Sequence, residues 1–193
     1  MGQITAFESI TLDGVMQGLG RADEDTRDGF VHGGWGAGFA DEVQMRFAAE
    51  GMAQEGAMLF GRRTYDDLMR AWTSRGEDNP FTSHLLAARK YVVSRSEAPL
   101  AWPNSTLVTG EAVDTVAGLR EESELPMTII GSGELVRSLH AAGLVDGYTL
   151  LIHPIVLGSG SRLFGAGDRT DLDLRRSVTT TTGVVIADYA VRR

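Results

Sequence analysis

Three short segments of the sequence carry residue types that can hold a phosphorylated nucleotide. They are Gly61-Arg62-Arg63-Thr64, Ser94-Arg95-Ser96 and Gly131-Ser132-Gly133-Glu134-Leu135, and each follows a short apolar run. Backbone N–H groups at a helix start, hydroxyls and guanidinium groups are the donors that bind phosphate in proteins. Ligands of open α/β sheets bind beyond the carboxyl ends of the strands. The order and spacing of the segments therefore predict a phosphate-rich ligand at one edge of a sheet.

The first two segments each place an arginine beside hydroxyl groups, so Arg62 and Arg95 are expected to flank one dianion. A charge-assisted hydrogen bond contributes about 1.5–3 kcal/mol, so two arginines on a ribose 2′-phosphate can select NADPH over NADH. Each segment also has an ordinary interpretation. Residues 61–64 can be a helix start with solvated arginines, and residues 94–96 can be a surface turn.

The glycines of the third segment let the backbone approach a pyrophosphate, because no side chain obstructs it and a helix N-terminus follows. The segment lacks the six-residue dinucleotide fingerprint with an acid about 20 residues later, which disfavours a conventional Rossmann dehydrogenase. A plain strand-to-helix turn is the alternative interpretation.

Metal sites and reactive nucleophiles find little support in the sequence. The absence of cysteine excludes thiolate catalysis and cysteine ligands. No histidine lies three or four residues from another, so no metal site is predicted and each is treated as structural. Ser159 lacks the pattern around a nucleophile elbow. The four histidines are His32, His84, His140 and His153.

The end of the first predicted strand offers an acidic candidate. Asp13 and Gly14 stand where a cleft would open, although an aspartate before glycine is equally well explained as a turn. The glycine-rich and acidic stretch at 15–38 follows and holds Trp35 near its end. We predict a long surface loop here, and long ordered loops tend to be functional.

Composition limits the classes of function. The 193 residues carry a formal net charge of −8, which argues against a general nucleic-acid or anionic-membrane surface. The length suits one domain over residues 1–193, and no linker or repeat is visible. The first residues lack a basic and an apolar region, and no window approaches the roughly 18 apolar residues of a membrane span. Cytoplasmic localisation is therefore expected.

Apolar periodicity predicts alternating strands and helices up to residue 142, then strands alone, of which at least one pair is antiparallel. Predicted strands are 3–10, 57–60, 91–94, 106–109, 127–130, 148–156, 172–180 and 184–191. Predicted helices are 39–54, 62–72, 80–89, 113–122 and 135–142.

These motifs together resemble the dihydrofolate reductase-like superfamily. The resemblance is closer to the reductase domain of the riboflavin-pathway deaminase-reductase and its stand-alone bacterial relatives. It spans nearly the whole chain. The motifs that carry it are Ser9 to Gly14, Phe60 to Tyr65, Val93 to Arg95, Ile130 to Leu135, Gly143 to Asp146, His153 to Gly160 and Arg162 to Phe164.

The resemblance implies an α/β fold, a three-layer α/β/α sandwich on a mixed sheet with antiparallel C-terminal strands. It also implies NADPH lying across the strand ends, and homodimers are frequent among such relatives. Trp35 and the loop before it would cover a small-molecule substrate beside Asp13 and Gly14. The implied cofactor residues are Arg62, Thr64, Ser94 and Arg95 for the adenosine phosphate side and Gly131 to Leu135 for the pyrophosphate.

The resemblance further implies an imine-to-amine hydride transfer that converts a ribosyl into a ribityl chain, as in 5-amino-6-(5-phosphoribosylamino)uracil reductase. Asp13 is the acid to test for this step. Dihydrofolate reductase proper needs a helix carboxylate near position 45, where this chain has Met45. Folate reduction is therefore disfavoured. A pyrimidine-pathway reductase, a relative with another substrate, and a non-catalytic nucleotide-binding protein all stay open, and a scaffold without nucleotide ranks last.

Overall fold

The computed structural model describes residues 1–74, 76, 79–167 and 169–193. Its contacts divide the chain into two compact units. The first contains Met1–Thr5 and Gln54–Val145, and the second contains Ala6–Ala53 and Asp146–Arg193. Strand β1, Ile4–Thr11, begins in the first unit and continues in the second.

The strands of the first unit are parallel. Their order is β4-β3-β2-β5, and the pairings of β2 with β3, β2 with β5 and β3 with β4 all run parallel. Residues 57–60 of β2 are apolar and buried, as is typical of a parallel strand covered on both faces. The strands are β2 (Ala57–Gly61), β3 (Arg89–Ser94), β4 (Ser105–Thr109) and β5 (Met127–Ile130).

Helix α2 follows β2 without a break, and its Tyr65 and Met69 pack into a buried cluster with Phe60 and Val92. Helix α3 begins at Pro80, a favoured first position, after the Asn79 side chain accepts the N–H groups that open it. The helices of the unit are α2 (Arg62–Thr73), α3 (Pro80–Ala87), α4 (Ala112–Glu122) and α5 (Gly133–Ala141).

The second unit is built on antiparallel strands in the order β6-β8-β7. Its helix α1, Glu42–Met52, is capped by Asp41, whose carboxylate accepts the N–H of Gln44 and also the N–H of Thr181. Phe47 of α1 packs on the core of this unit. The strands are β6 (Gly147–His153), β7 (Leu172–Thr179) and β8 (Val185–Val191).

The loop at 15–38 has a core of its own. It contains a short 3-10 helix at Arg27–Gly29 and buries Val15, Phe30 and Trp35 together. A loop that buries three large apolar side chains is ordered by packing, and glycines allow its sharp changes of direction.

The predicted α/β class with antiparallel C-terminal strands is confirmed, and the predicted elements all exist. Some predicted ends were wrong. Helix α1 starts at Glu42 instead of 39, because Asp41 caps it. Helix α3 ends at Ala87, and β6 ends before Pro154, which has no N–H for a ladder. No helix in the described part of the chain has the length and apolar character to cross a membrane.

Candidate functional site

The three predicted phosphate segments follow three neighbouring parallel strands of the first unit. Ser94 is the last residue of β3, Gly61 the last residue of β2, and Gly131 comes directly after β5. Strand β2 lies between the other two, with Gly61 opposite Val93 and Leu59 opposite Ile129. Parallel strands in this register end at the same edge, so the tertiary structure brings the three segments together.

Two of these segments are in direct contact. The Oγ of Ser132 accepts the N–H of Gly61 at 2.8 Å. Gly131 has a φ of 59°, and a Cβ on it would lie 2.8 Å from the Cγ2 of Thr64. Glycine is therefore favoured at 131 both by the positive φ and by the close approach of the Thr64 side chain.

Both segments lead into helices whose N-terminal turns lack a side-chain cap. The N-cap residue of α2 is Gly61, which has no side chain. The N-cap residue of α5 is Ser132, whose side chain accepts no hydrogen bond from the N–H groups of α5. The first bond within α5 runs from the N–H of Val136 to the carbonyl of Ser132. The earlier N–H groups of each helix, together with its dipole, favour an anion at these ends.

Arg62 is occupied by protein acceptors. Its Nε donates to the carboxylate of Asp66 at 2.9 Å, and its Nη1 and Nη2 donate to the carbonyls of Ala98 and Pro99 at 2.8 and 3.1 Å. The expected pairing of Arg62 with Arg95 around a dianion does not fit these contacts. Arg62 instead fastens the segment after β3 to the start of α2.

Two other arginines present open guanidinium groups. Arg63, in the first turn of α2, is exposed and forms no salt bridge with any residue that the structure describes. The Arg95 side chain is 86% exposed, and its Nε lies 3.7 Å from a carboxylate oxygen of Glu111. The Oγ of Ser94 accepts the N–H of Ser96 at 2.9 Å, which closes the turn that carries Arg95.

This donor set fits a phosphorylated dinucleotide. A glycine cradle, two helix starts without side-chain caps and two exposed arginines follow adjacent strands of one unit. In proteins, phosphates are held by such helix starts and by guanidinium groups. The fit concerns the phosphate-bearing part of the ligand, because all these groups are hydrogen-bond donors.

Asp13 lies in the second unit and is held as a carboxylate. Its oxygens accept hydrogen bonds from the hydroxyl of Thr11 at 2.6 Å and from the N–H groups of Leu157 and Gly158 at 3.2 and 2.8 Å. A guanidinium nitrogen of Arg162 is 3.6 Å away. The Thr11 hydroxyl above all, with the two backbone donors, lowers the pKa of Asp13 to about 2. An aspartate ionised at neutral pH does not fit the predicted role of general acid.

Gly14 and Trp35, the other predicted substrate residues, have structural roles here. Gly14 has a φ of 80° and donates its N–H to the Thr11 carbonyl, so the turn interpretation of Asp13 and Gly14 is confirmed. Trp35 is only 7% exposed, its Nε1 donates to the Gln17 carbonyl at 2.7 Å, and its ring packs edge-on to His153. Trp35 therefore holds the loop together, and the expectation that it covers a substrate does not fit its burial.

Gln17 is a polar residue that the sequence analysis missed. It is 5% exposed, its Nε2 donates to the Arg27 carbonyl at 3.1 Å, and its Oε1 accepts the N–H of Ser161 at 2.9 Å. A single glutamine in a glycine-rich stretch has no periodic signal. Its hydrogen bonds connect residues 27 and 161 on two sides of a pocket of about 230 Å³. The pocket is lined by Gln17, Arg27, Asp28, Gly29, Phe30, Ser159, Gly160 and Ser161.

Residues 3–186 match the family of the RibD C-terminal domain. The chain belongs to this family. The uncharacterised protein YyaP of Bacillus subtilis strain 168 is 27% identical over 187 residues, covering 94% of this chain and 90% of YyaP.

Solved structures show the same fold. A candidate riboflavin biosynthesis protein from Shewanella sp. PV-4 matches with a TM-score of 0.67 at 19% identity, covering 99% of each chain. Dihydrofolate reductase from Enterococcus faecalis, solved with NADP(H), matches with a TM-score of 0.61 at 14% identity, covering 100% of this chain and 98% of that one. The fold is therefore dihydrofolate reductase-like, of the riboflavin reductase type.

Proposed function

We propose that this protein is an NADPH-dependent reductase whose first candidate substrate is 5-amino-6-(5-phosphoribosylamino)uracil. The observation that carries the proposal is the meeting of the Gly61, Ser94 and Gly131 segments after adjacent parallel strands. Membership of the RibD C-terminal domain family supports the reductase class. The complex of the similar dihydrofolate reductase with NADP(H) supports the choice of cofactor.

In the proposed site Arg63 and Arg95 hold the 2′-phosphate, and residues 131–135 with Thr64 hold the pyrophosphate. NADPH, when bound, would supply a hydride to the carbon of a C=N bond, and a proton from water would complete the reduction of the nitrogen to an amine. The protein binds and orients the cofactor through fixed donors. Asp13 keeps the 157–162 loop in place as an ionised carboxylate, so we assign it a positioning role and not the delivery of a proton.

The first test is calorimetric titration of the wild type with NADPH and, in parallel, with NADH. We expect the Arg63→Ala plus Arg95→Ala variant to bind NADPH about 100-fold more weakly, since two charge-assisted bonds are lost. NADH affinity should change little in this variant. Arg46 and Arg70 are also exposed, so their double alanine variant is the matched control. Failure of the wild type to bind either nucleotide would overturn the proposal.

Turnover is tested separately, by following the absorbance of reduced nicotinamide with the ribosylaminopyrimidine and with dihydrofolate. Two observations favour a non-catalytic nucleotide-binding protein as the second candidate. The hydrogen bonds from Thr11, Gly158 and Leu157 hold the pKa of Asp13 well below its ordinary value, and position 45 on α1 is a methionine, so neither residue is suited to donate a proton at neutral pH. Tight NADPH binding without turnover of either compound would favour this candidate or another substrate.

A further inference from the structure

Ser132 combines an unfavourable backbone with a specific side-chain contact. Its φ of 69° and ψ of 53° are left-handed, a region that costs energy for any residue with a Cβ and little for glycine. Gly131 before it is also left-handed, at a φ of 59°. A glycine at 132 would relieve the strain, so the chain keeps a serine where the backbone alone favours glycine.

The Ser132 hydroxyl bonds across to the other nucleotide segment. Its Oγ accepts the N–H of Gly61 at 2.8 Å, and a Cβ on Gly61 would lie 3.3 Å from the same oxygen. The side chain makes no capping bond to its own helix α5. The hydroxyl therefore joins the start of α2 to the start of α5 and does not stabilise either helix alone.

The hydroxyl also has a donor that no described residue uses. A serine hydroxyl has one O–H and two acceptor positions, and the bond from Gly61 uses an acceptor position. With the described residues, Ser132 makes no side-chain hydrogen bond in which it donates. Its O–H stands between two helix starts that favour anions.

We propose that Ser132 is a positioning residue for the nucleotide, and this inference rests on the proposed function. Its Oγ fixes the Gly61 and Gly131 segments against each other so that both helix starts address the same pyrophosphate. Since NADPH and NADH share the pyrophosphate, Ser132 acts equally on both nucleotides. The exposed arginines Arg63 and Arg95, by contrast, distinguish them.

The experiment compares Ser132→Ala, Ser132→Gly and the wild type by calorimetry with each nucleotide and by thermal unfolding. The alanine variant keeps the left-handed strain and loses the bond to Gly61, whereas the glycine variant loses the bond but relieves the strain. We expect Ser132→Ala to lower Tm more than Ser132→Gly. Both variants should bind NADPH and NADH about tenfold more weakly, the loss expected for one hydrogen bond.

The matched control is Ser138→Ala on the same helix, because among the described residues the exposed Ser138 hydroxyl bonds only the Glu134 carbonyl of α5. A second readout is hydrogen exchange of the Gly61 N–H, which should be faster in both Ser132 variants and unchanged in the control. If Ser132→Gly binds both nucleotides as tightly as the wild type does, the inference is wrong. It is also wrong if the loss of nucleotide affinity in the two variants is proportional to their loss of Tm. If the wild type binds neither nucleotide, the proposed function falls and this inference falls with it.

Discussion

At the scale of the single residue, Asp13 fastens the 157–162 loop to the end of β1. We expect Asp13→Asn to lower the free energy of unfolding by about 2 kcal/mol at neutral pH, because charge-assisted hydrogen bonds are lost. The pKa of Asp13 is depressed from 3.8 to about 2. Its stabilising contribution is therefore full above pH 3.8 and is lost as the pH falls towards 2. Urea unfolding of both proteins across this range measures the difference.

Asp114→Asn is the control for Asp13, because Asp114 is exposed in the first turn of α4. This control should change stability by a few tenths of a kcal/mol, as a first-turn carboxylate does. If the difference in free energy of unfolding between the wild type and Asp13→Asn stays constant from neutral pH to about 2, the ionised Asp13 carboxylate does not stabilise the loop.

At the scale of the element, the end of α3 is held by the only lysine of the chain. Lys90 is fully buried, and its Nζ donates to the carbonyls of Leu85 and Ala88 at 2.5 and 2.7 Å. Lys90→Met leaves these carbonyls without that donor, so we expect it to cost about 3 kcal/mol of unfolding free energy. Chemical denaturation measures this cost, and Arg89→Met at the neighbouring exposed position is the control.

The same helix end has a pH dependence of definite sign. Burial lowers the pKa of Lys90 from 10.5 to about 8. The unfolded chain binds the proton of Lys90 more tightly than the folded chain does. The buried charge therefore lowers the free energy of unfolding below about pH 8, and this penalty fades as the pH rises to 10.5. The stability of the wild type relative to Lys90→Met should therefore increase over this interval. A flat difference would show that the folded protein keeps Lys90 charged throughout.

At the scale of the whole molecule, a chain with a net charge of −8 would need local donors to bind the polyanionic nucleotide that we propose. A nucleotide that binds only the folded state raises the free energy of unfolding by about 2.7 kcal/mol when its concentration is 100 times Kd. This corresponds to a rise in Tm of roughly 5–10 °C for a chain of this length. Scanning fluorimetry should show a larger rise with NADPH than with NADH at equal concentration.

Added salt should reduce the NADPH shift more than the NADH shift, because screening weakens the contacts of the extra phosphate with exposed arginines. Equal rises in Tm with NADPH and NADH at low salt would contradict the proposal that Arg63 and Arg95 select NADPH. The homodimer implied by the resemblance stays a prediction, and sedimentation of the same samples tests it.

The helices and strands were predictable because their signals are local. Residues 57–60 are a short apolar run before Gly61, and Pro80 after Asn79 is a helix start by its own chemistry. The ends were less predictable, because the Asp41 side chain that caps α1 also accepts the N–H of Thr181, far along the chain. Periodicity in one segment carries no information about such a partner.

Sequence alone predicted which segments have the residue types that bind phosphate, and it determined that strands and helices alternate before an antiparallel end. Only the tertiary structure decided which side chains remain open to a ligand. It occupies Arg62 with the carbonyls of Ala98 and Pro99, leaves Arg63 exposed, and joins Ser132 to Gly61. Residue types set what a group can donate or accept, whereas its partners come from distant segments that meet only when the strands pair in register.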